Sequence, residues 1–545
     1  MFSDKSHINI LTALLVEHHV CNAVVCPGSR NAPIVHNLCL SGKINCIPVT
    51  DERSAGFYAL GMAMKTGQPV AVCVTSGSAL LNLLPAVAEA YYQHIPLLVI
   101  SADRPKLWID QLDGQTMPQE DVLGRLVSVA VSLPESPDDE QRWFCNRLVN
   151  EALNGLFQDG GRPAHINVPI SEPLYKFNIP ELPQERVIKV CRSRMGQLQM
   201  LFDDMRKAKR PMIVIGQTPD YQCFHDFMPE NVVVLHEALS FGAMPFEKVL
   251  ANNPESDQLM PDFILYLGEA LVSKRFKSFL RNAKQTRCWH VNNDGQIYDT
   301  FQCLEGVVEC PLPKLISQLK LFCNDNEWRF DYEFTKRWKA ELQKAEETTL
   351  RYQPPFSSMM AVKMLEHKLQ DKTCDVHYAN SSAIRLANIY AKHHVCCNRG
   401  LNGIEGTLST AAGFSLLTDK NSVFCVIGDL SFFYDQNALW NQLLKGNLRI
   451  LLLNNGGGAI FEGLDGARQS PAFHKAIKAA HHTSAEGICR QFNIVYQAAT
   501  DEDSLKNGLE WLVDGFEDCP RPLLLEVFTL PETDNKAISQ YYSCG

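Results

Sequence analysis

The sequence predicts an α/β protein of three domains with parallel sheets. The first and the last of these domains have the same order of strands and helices. Short apolar, β-branched segments alternate with helix-length stretches, which is typical of buried parallel strands joined by helices. The first and last thirds place strands, turns and helices in the same order. With 545 residues, the chain is too long for one hydrophobic core, so about three domains are expected.

In the N-terminal third, the apolar runs Val70–Val74 and Leu97–Ile100 are predicted strands. A helix is expected from Arg53 to about Lys65, and a second helix, between the two strands, is expected to end near Tyr92. In the C-terminal third the strands are predicted at 423–427 and 448–453, with a crossover helix from Asp435 to Lys445.

Between these thirds, helix and strand alternate again, which predicts a third α/β domain. Its elements are expected at Gln197–Lys209 (helix) and at Met212–Gly216, Val232–Leu235, Phe263–Leu267 and Cys288–Val291 (strands). Proline- and glutamate-rich stretches at 171–185 and 324–357 separate the domains. Within the second stretch, Tyr332–Thr349 has helical spacing and many charges, which predicts a solvated helix. The expected domains are 1–185, 190–325 and 350–545.

Composition excludes several classes of protein. A net charge of −10 argues against nucleic acid or an anionic membrane as the main partner. No basic leader with an apolar segment and no membrane-spanning run is present, so a cytoplasmic protein is expected. The 19 cysteines include no Cys-x-x-Cys pair and lie largely in apolar runs, as buried thiols in a reducing compartment do. The 16 histidines form no His-Glu-x-x-His motif, which disfavours a zinc enzyme.

The most informative feature is a pair of polar side chains at the ends of the two C-terminal strands. Asp429 follows the first strand, and Asn455 follows the second and precedes Gly456–Gly458. Parallel strands open their carboxyl ends on one crevice, where such sheets bind ligands. A carboxylate and an amide oxygen suit Mg²⁺, and glycines let the backbone approach a phosphate. The pattern therefore predicts a metal–diphosphate site, although Asp and Asn are also common helix caps and turn formers.

The N-terminal repeat carries a carboxylate at the corresponding place. Glu52 follows an apolar strand and precedes a helix. At this position it is a candidate to hydrogen-bond to the ring nitrogen of a bound cofactor and to promote proton transfer there. The alternative is that Asp51 and Glu52 are first-turn residues favoured by the helix dipole. Ile404, in a loop after Arg399, is either a support for the cofactor or a packing residue.

Several motifs occur in the order seen in thiamine diphosphate-dependent decarboxylases and carboligases, and the chain resembles that group. They are Pro27–Arg30, Thr50–Arg53, Thr75–Ser78, Ala102–Pro105, Gly428–Asp429 and Asn455. Three further segments resemble the 2-succinyl-5-enolpyruvyl-6-hydroxy-3-cyclohexene-1-carboxylate (SEPHCHC) synthase family of menaquinone biosynthesis. They are Asn380–Arg385, Asn398–Gly406 and Asn455–Phe461.

This resemblance implies a transferase that decarboxylates 2-oxoglutarate and adds the succinyl unit to isochorismate in a 1,4 fashion, giving SEPHCHC and CO₂. It implies thiamine diphosphate with Mg²⁺, or Mn²⁺ in its place, and a homodimer or homotetramer with active sites at the subunit interface. The implied catalytic residues are Glu52, Ser381 and Gln115, and the implied metal ligands are Asp429, Asn455 and Gly457. The implied cofactor-binding residues are Glu52, Thr75, Ser76, Gly77, Ser381, Ile404, Gly428, Asp429, Leu430, Ser431, Asn455, Gly457 and Ile460. The implied substrate-binding residues are Ser29, Arg30, Arg104, Gln115, Lys274, Arg275, Arg385, Arg399 and Phe461.

The cationic residues agree with substrates that carry several carboxylates. Six of them lie in or near strand-end loops of an otherwise acidic chain, and arginine pairs bidentately with carboxylates. Taken singly, each is an ordinary surface charge, and Arg53 is interpreted as structural. Ile404, Ile460 and Phe461 are expected to form an apolar wall that excludes water.

Three alternatives remain open at this point. The first is another thiamine diphosphate enzyme that acts on a smaller 2-oxoacid, such as an acetohydroxyacid synthase or a 2-oxoacid decarboxylase. The second is a non-catalytic cofactor-binding regulator, which Glu52, Asp429 and Asn455 together disfavour. The third is a nicotinamide dehydrogenase, which ranks last because no Gly-x-Gly-x-x-Gly follows a strand.

Overall fold

The structure is a computed structural model, and it confirms the predicted α/β class with parallel sheets. It describes residues 1–135, 138–188, 198–225, 227, 229, 232–254, 256–283, 285–323, 331–418, 421–463, 466–515 and 519–544. The chain forms two compact units. One unit combines Met1–Arg192, Asn398–Val423 and Tyr434–Leu448, and the other combines Ser193–Cys397, Phe424–Phe433 and Arg449–Gly545. The predicted division into three domains stays a prediction.

A six-stranded parallel sheet forms the centre of the first unit, in the order β3-β2-β4-β5-β7-β6. The predicted strands at 70–74 and 97–100 are confirmed, and every residue of both strands is buried. The strands of this part are β1 (Phe2–Ser3), β2 (Asn22–Val25), β3 (Asn45–Pro48), β4 (Val70–Val74), β5 (Leu97–Asp103), β6 (Val129–Ser132), β7 (Ala164–Pro169) and β8 (Phe177–Ile179). The helices are α1 (Ser6–Glu17), α2 (Ala32–Leu40), α3 (Glu52–Thr66), α4 (Ser78–Asn82), α5 (Leu84–Tyr92) and α6 (Asp139–Gly155).

The middle of the chain forms a five-stranded parallel sheet in the order β10-β9-β11-β12-β13. The four strands predicted here are confirmed, and the helix predicted at 197–209 is observed from Leu198, since Gln197 lies outside the described residues. The strands are β9 (Pro211–Ile215), β10 (Val233–His236), β11 (Phe263–Leu267), β12 (Arg287–Asn292) and β13 (Leu304–Glu309). The helices are α7 (Leu198–Arg206), α8 (Phe246–Asn252), α9 (Lys274–Arg281) and α10 (Leu312–Cys323).

The helix predicted as solvated exists as α11 (Tyr332–Arg351), but its description as solvated is wrong. Phe334, Trp338 and Ala345 on one face are buried in the core beneath β9–β12. The Trp338 side chain is fully buried and its indole Nε1 donates to the Leu259 carbonyl at 3.0 Å. The charged residues cover the opposite face, so α11 is an amphipathic helix of the second unit.

The last sheet has the strand order β14-β15-β16-β18-β17, and the predicted strands at 423–427 and 448–453 are confirmed as β15 and β16. The strands are β14 (Cys374–Tyr378), β15 (Ser422–Gly428), β16 (Leu448–Asn454), β17 (Val495–Ala499) and β18 (Leu523–Phe528). The helices are α12 (Ser358–Leu369), α13 (Ser382–Tyr390), α14 (Thr407–Ser415), α15 (Asp429–Tyr434), α16 (Glu486–Phe492), α17 (Glu502–Asp514) and α18 (Pro531–Ser543).

The crossover helix predicted from Asp435 to Lys445 is wrong. The connection is the short helix α15 followed by a 3₁₀ turn at Gln436–Trp440. Asp435 is buried and its carboxylate accepts hydrogen bonds from the Ser409 backbone N–H and hydroxyl, both at 2.7 Å. Asn441 then accepts from the Leu443 N–H at 2.9 Å, a local turn that competes with helix.

In the described part of the chain, no helix is both long and apolar enough to cross a membrane. The cysteines in the same part are all free thiols, and Cys26, Cys73 and Cys425 are buried as expected, whereas Cys46 is half-buried.

Candidate functional site

The predicted metal residues Asp429, Asn455 and Gly457 are brought together where β15 and β16 end. Asp429 is the first residue of α15, and its buried carboxylate accepts from the backbone N–H of Leu430 at 2.6 Å. The same carboxylate accepts from the N–H of Asn455 at 3.1 Å and of Gly457 at 3.0 Å. Burial raises the pKa of the Asp429 carboxyl, and the N–H groups of Gly457 and Leu430 oppose that shift.

The turn after Asn455 requires glycine. Gly456 and Gly457 have φ values of +75° and +139°, and a Cβ on Gly457 would lie 2.8 Å from the Lys478 carbonyl oxygen. Among the described residues, no group of three or more His, Cys, Asp or Glu side chains could hold a metal ion. A metal here would therefore bind one carboxylate together with amide and carbonyl oxygens. Those are hard oxygen ligands, and the donor set fits Mg²⁺ or Mn²⁺.

His481 also lies beside Asp429, and sequence reasoning gave it no role. Its Nε2 is 3.4 Å from the Asp429 carboxylate. Its Nδ1 accepts from the Thr483 N–H at 3.1 Å, which assigns the proton of the neutral ring to Nε2. The only signal in the sequence was the pair His481-His482, which does not indicate where the ring points.

Glu52 is the first residue of α3, but another side chain caps that helix. Asp51 accepts from the N–H groups of Arg53 at 2.9 Å and Ser54 at 3.2 Å, so the cap is already provided. The Glu52 carboxylate instead accepts from the Asn82 side chain at 3.1 Å. Asp51 therefore provides the cap, whereas Glu52 lies in the first turn, where the helix-dipole alternative also places it.

The Arg53 side chain packs against Tyr434, which agrees with its interpretation as a structural residue. Its guanidinium donates to the Tyr434 carbonyl at 2.8 Å and lies 4.5 Å from the centre of the Tyr434 ring.

The two repeats share an unusual backbone turn directly before a helix. Gly77, before α4, has φ +81° and ψ −138°, and Ser381, before α13, has φ +73° and ψ −126°. Only glycine adopts this conformation readily, and other residues in it concentrate at functional sites. Ser381 therefore holds a strained conformation at the position that the sequence assigned to catalysis.

The loop that carries Gln115 lies against the Gly77 turn. A Cβ on Gly77 would be 3.3 Å from the Gln115 backbone. The Gly77 N–H donates to the Gln119 side chain at 2.7 Å, and the Gln119 amide donates to the Ala102 carbonyl at 3.1 Å. Gln119 is buried and was missed, because nothing in its local sequence marks a tertiary contact with Gly77.

Arg104 braces the same loop. Its guanidinium pairs with the Asp113 carboxylate at 2.9 Å and donates to the Gly114 carbonyl at 3.3 Å.

Three of the six predicted cations line one cavity of about 380 Å³ in the second unit. Lys274 and Arg275 come from the first turn of α9, and Arg385 comes from α13. Asn455 and Ile460, from the predicted metal and cofactor sets, line the same cavity. The structure thus joins the candidate substrate cations to the candidate metal site.

The other residues predicted to bind substrate differ in burial and in the contacts that they make. Arg30 is buried, and its guanidinium donates to the Ile170 carbonyl at 2.9 Å and pairs with Glu172 at 3.2 Å. Arg399 is half-buried and Ile404 is 42% exposed, and both belong to the first unit. Ser29 is exposed, and Phe461, in the second unit, is half-buried.

Two models of known protein families match parts of the chain. Residues 7–124 match the family model "Thiamine pyrophosphate enzyme, N-terminal TPP binding domain", and residues 378–527 match the corresponding "C-terminal TPP binding domain". Thiamine pyrophosphate is another name for thiamine diphosphate. The predicted cofactor class is therefore confirmed.

Curated relatives resemble the chain over nearly its whole length. Proteins of Bacteroides fragilis and Bacteroides thetaiotaomicron are each 42% identical over 99% of this chain and 99% of their own. A protein of Christiangramia forsetii is 34% identical over 98% of this chain and 97% of its own. All three carry the name 2-succinyl-5-enolpyruvyl-6-hydroxy-3-cyclohexene-1-carboxylate synthase. The chain therefore belongs to this family of thiamine diphosphate-dependent enzymes, as its motifs predicted.

Proposed function

We propose that the protein decarboxylates 2-oxoglutarate and adds the succinyl unit to isochorismate in a 1,4 fashion, giving SEPHCHC and CO₂ in menaquinone biosynthesis. One observation carries the proposal: Lys274, Arg275 and Arg385 line the cavity that also contains Asn455. 2-Oxoglutarate and isochorismate each carry two carboxylates, which several cations bind better than one. The names of the relatives support the same reaction.

Thiamine diphosphate binds with Mg²⁺, or Mn²⁺, held by Asp429, the Asn455 amide oxygen and the Gly457 carbonyl. When bound, the cofactor supplies an electron sink for decarboxylation. The glycine turn lets the backbone approach the diphosphate, as its positive φ angles allow. The turn Thr75–Gly77, the last residue of β15, Gly428, and Leu430 and Ser431 at the start of α15 also contact the cofactor.

Glu52 hydrogen-bonds to the pyrimidine ring of the cofactor and promotes proton transfer there. Since Asp51 caps α3, the Glu52 carboxylate can serve this role without loss of the cap. Ser381 and Gln115 donate hydrogen bonds to the reacting substrate atoms. Both residues have positive φ values, +73° and +57°, which places their side chains where ordinary backbone would not.

Substrate recognition is shared among cations and an apolar wall. Lys274, Arg275 and Arg385 bind carboxylates, and Ser29, Arg30, Arg104, Arg399 and Phe461 complete the set of substrate contacts. Ile404, Ile460 and Phe461 exclude water, which limits protonation of the reacting carbon before the second substrate arrives.

A homodimer or homotetramer in the cytoplasm completes the proposal, with active sites at the subunit interface. Tyr92, Leu401 and Ile404 of the first unit are 46%, 45% and 42% exposed. The Glu89 carboxylate accepts hydrogen bonds from the N–H groups of Gly400 and Leu401, both at 2.8 Å, and so holds the loop at 400–404 in place. An ordered loop with exposed apolar side chains is typical of a surface that a partner covers. Light scattering coupled to gel filtration tests this, and a monomer at micromolar concentration would contradict it.

The choice of 2-oxoacid tests the proposed reaction. We expect 2-oxoglutarate to be consumed in preference to pyruvate, and Arg385→Ala to raise KM for 2-oxoglutarate about tenfold or more, because a charged hydrogen bond contributes about 1.5–3 kcal/mol. Arg351→Ala is the matched control, because Arg351 is exposed on α11 and pairs only with Glu347 among the described ion pairs. Preference for pyruvate would instead indicate an enzyme of the acetohydroxyacid synthase type.

A further inference from the structure

We infer that Asp534 is a positioning residue that orients the Asn455 amide and so presents its oxygen to the metal ion. Asp534 lies on α18, and its carboxylate accepts a hydrogen bond from the Asn455 side-chain nitrogen at 2.8 Å. Both residues line the cavity that contains the candidate cations. The inference rests on the proposed function, in which Asn455 is a metal ligand.

The Asp534 carboxylate has a fixed place in the second unit. The residue is only 6% exposed. One carboxylate oxygen accepts from the Ser358 backbone N–H at 2.7 Å. The other oxygen accepts from the Ser358 hydroxyl at 2.7 Å, from the Thr529 hydroxyl at 3.1 Å and from Asn455. Three donors other than Asn455 therefore fix the orientation of the Asp534 carboxylate that the Asn455 amide contacts.

A carboxylate decides which end of an amide faces it. The two ends of the Asn455 side chain are nearly equal in shape, but one donates hydrogen bonds and the other accepts them. Both oxygens of the Asp534 carboxylate accept hydrogen bonds from the donors around them, so the Asn455 amide nitrogen faces Asp534 and the amide oxygen faces the opposite side. Mg²⁺ binds oxygen and does not bind an amide NH₂ group. Since the Asn455 N–H also donates to Asp429 at 3.1 Å, the residue is held at its backbone and its side chain.

This geometry makes a directional prediction for Asp534→Asn. The Ser358 backbone N–H is a fixed donor, so the oxygen of the new amide stays next to it as the acceptor. The NH₂ group of the new amide then occupies the position that faces Asn455. Two NH₂ groups then meet unless the Asn455 amide flips, and the flip turns its NH₂ group toward the metal. Loss of such an outer partner typically weakens metal binding by about 10–100-fold, and we expect an effect of that size.

The reciprocal exchange should restore binding. In Asp534→Asn/Asn455→Asp, the amide of residue 534 donates to the carboxylate of residue 455, whose second oxygen faces the metal. The second N–H of the new NH₂ group can donate to the hydroxyl of Ser358 or of Thr529, either of which can rotate to accept it. Asn455→Asp alone instead places two carboxylates next to each other, because the present separation is 2.8 Å.

The experiment measures Mn²⁺ binding to the apoprotein with saturating thiamine diphosphate, by electron paramagnetic resonance of free Mn²⁺. Thr529→Val removes one hydrogen bond to the same Asp534 oxygen and leaves both bonds from Ser358 and the bond from Asn455 in place. Glu366→Gln removes another buried carboxylate, which accepts from Tyr378 at 2.6 Å. We expect both controls to bind Mn²⁺ within about threefold of the wild type. Thermal unfolding checks the folded fraction of each protein.

The inference predicts a 10–100-fold higher Kd for Asp534→Asn and recovery to within about threefold of the wild type in the double variant. Equal Mn²⁺ affinity of Asp534→Asn and the wild type would overturn it. If Asp534→Asn does not fold, the double variant must still bind at least tenfold more tightly than Asn455→Asp, and equal affinities would overturn the inference. Failure of the wild type itself to bind Mn²⁺ with the cofactor would overturn the proposed function instead.

Discussion

Replacing Ser381 by alanine and by glycine measures the strain stored in the turn before α13. Ser381 has φ +73° and ψ −126°, a conformation that costs a residue with a Cβ about 1–3 kcal/mol. Glycine avoids that strain but loses about 0.5–1 kcal/mol through its more flexible unfolded state. The glycine variant should therefore be more stable than the alanine variant by about 1 kcal/mol, roughly a fivefold change in the folding equilibrium.

The two variants both lack the hydroxyl group and differ only in Cβ, so their comparison isolates the backbone. Urea denaturation followed by circular dichroism gives the midpoint of each variant. The same pair of substitutions at Ser382, the first residue of α13, is the control, and there glycine should be less stable by about 0.5–1 kcal/mol. If alanine were the more stable residue at both positions, the Ser381 turn would not be strained. The proposed role of the hydroxyl further predicts that both variants at Ser381 lose activity to a similar extent.

Four other substitutions test the cofactor site, the metal site, a buried carboxyl group and the core. Glu52→Gln should leave cofactor binding largely intact and abolish exchange of the cofactor C2 proton, measured by NMR, and retained exchange would remove the assigned role. Asp429→Ala should lose metal-dependent cofactor binding in calorimetry, and unchanged affinity would mean that the metal site is misplaced. Burial raises the pKa of Asp435 to about 6 from an ordinary 3.8. The folded state therefore keeps the Asp435 proton up to a higher pH than the unfolded state does. This adds about 3 kcal/mol to the free energy of unfolding below about pH 4, and the contribution is lost as the pH rises through 6. Asp435→Asn should remove this loss, so its urea midpoint relative to the wild type should rise between pH 4 and pH 7; a pH-independent difference would refute the shift. Trp338→Ala should lower the free energy of unfolding by about 3–5 kcal/mol if α11 belongs to the core, whereas a loss below 1 kcal/mol would support a solvated helix.

The sequence was sufficient to place Asp429 beside the turn at Asn455. Two apolar runs with polar residues at their ends determine strands that open on one edge of a sheet, and the structure brings these residues within hydrogen-bonding distance. The connection between the strands was not predictable in the same way. Its apolar spacing suits a helix, but Asp435 bonds to Ser409 and Asn441 forms a local turn.

Residues that act through distant contacts were beyond sequence reasoning. Gln119, His481 and Asp534 lie 42, 52 and 79 residues from the groups that they contact, which are Gly77, Asp429 and Asn455. Each is an ordinary polar residue in its local segment, and only the folded chain shows its partner. The burial of one face of α11 was not predicted, because the many charged residues of this segment outnumber the three apolar residues at helical spacing that form the buried face.

The proposed function requires that one enzyme joins 2-oxoglutarate to isochorismate. CO₂ release and isochorismate loss, followed together with Mg²⁺ and thiamine diphosphate present, test it most directly. We expect the two to proceed in equal amounts and little CO₂ to form when isochorismate is omitted. CO₂ release from 2-oxoglutarate with no loss of isochorismate, or activity only with another 2-oxoacid, would contradict it.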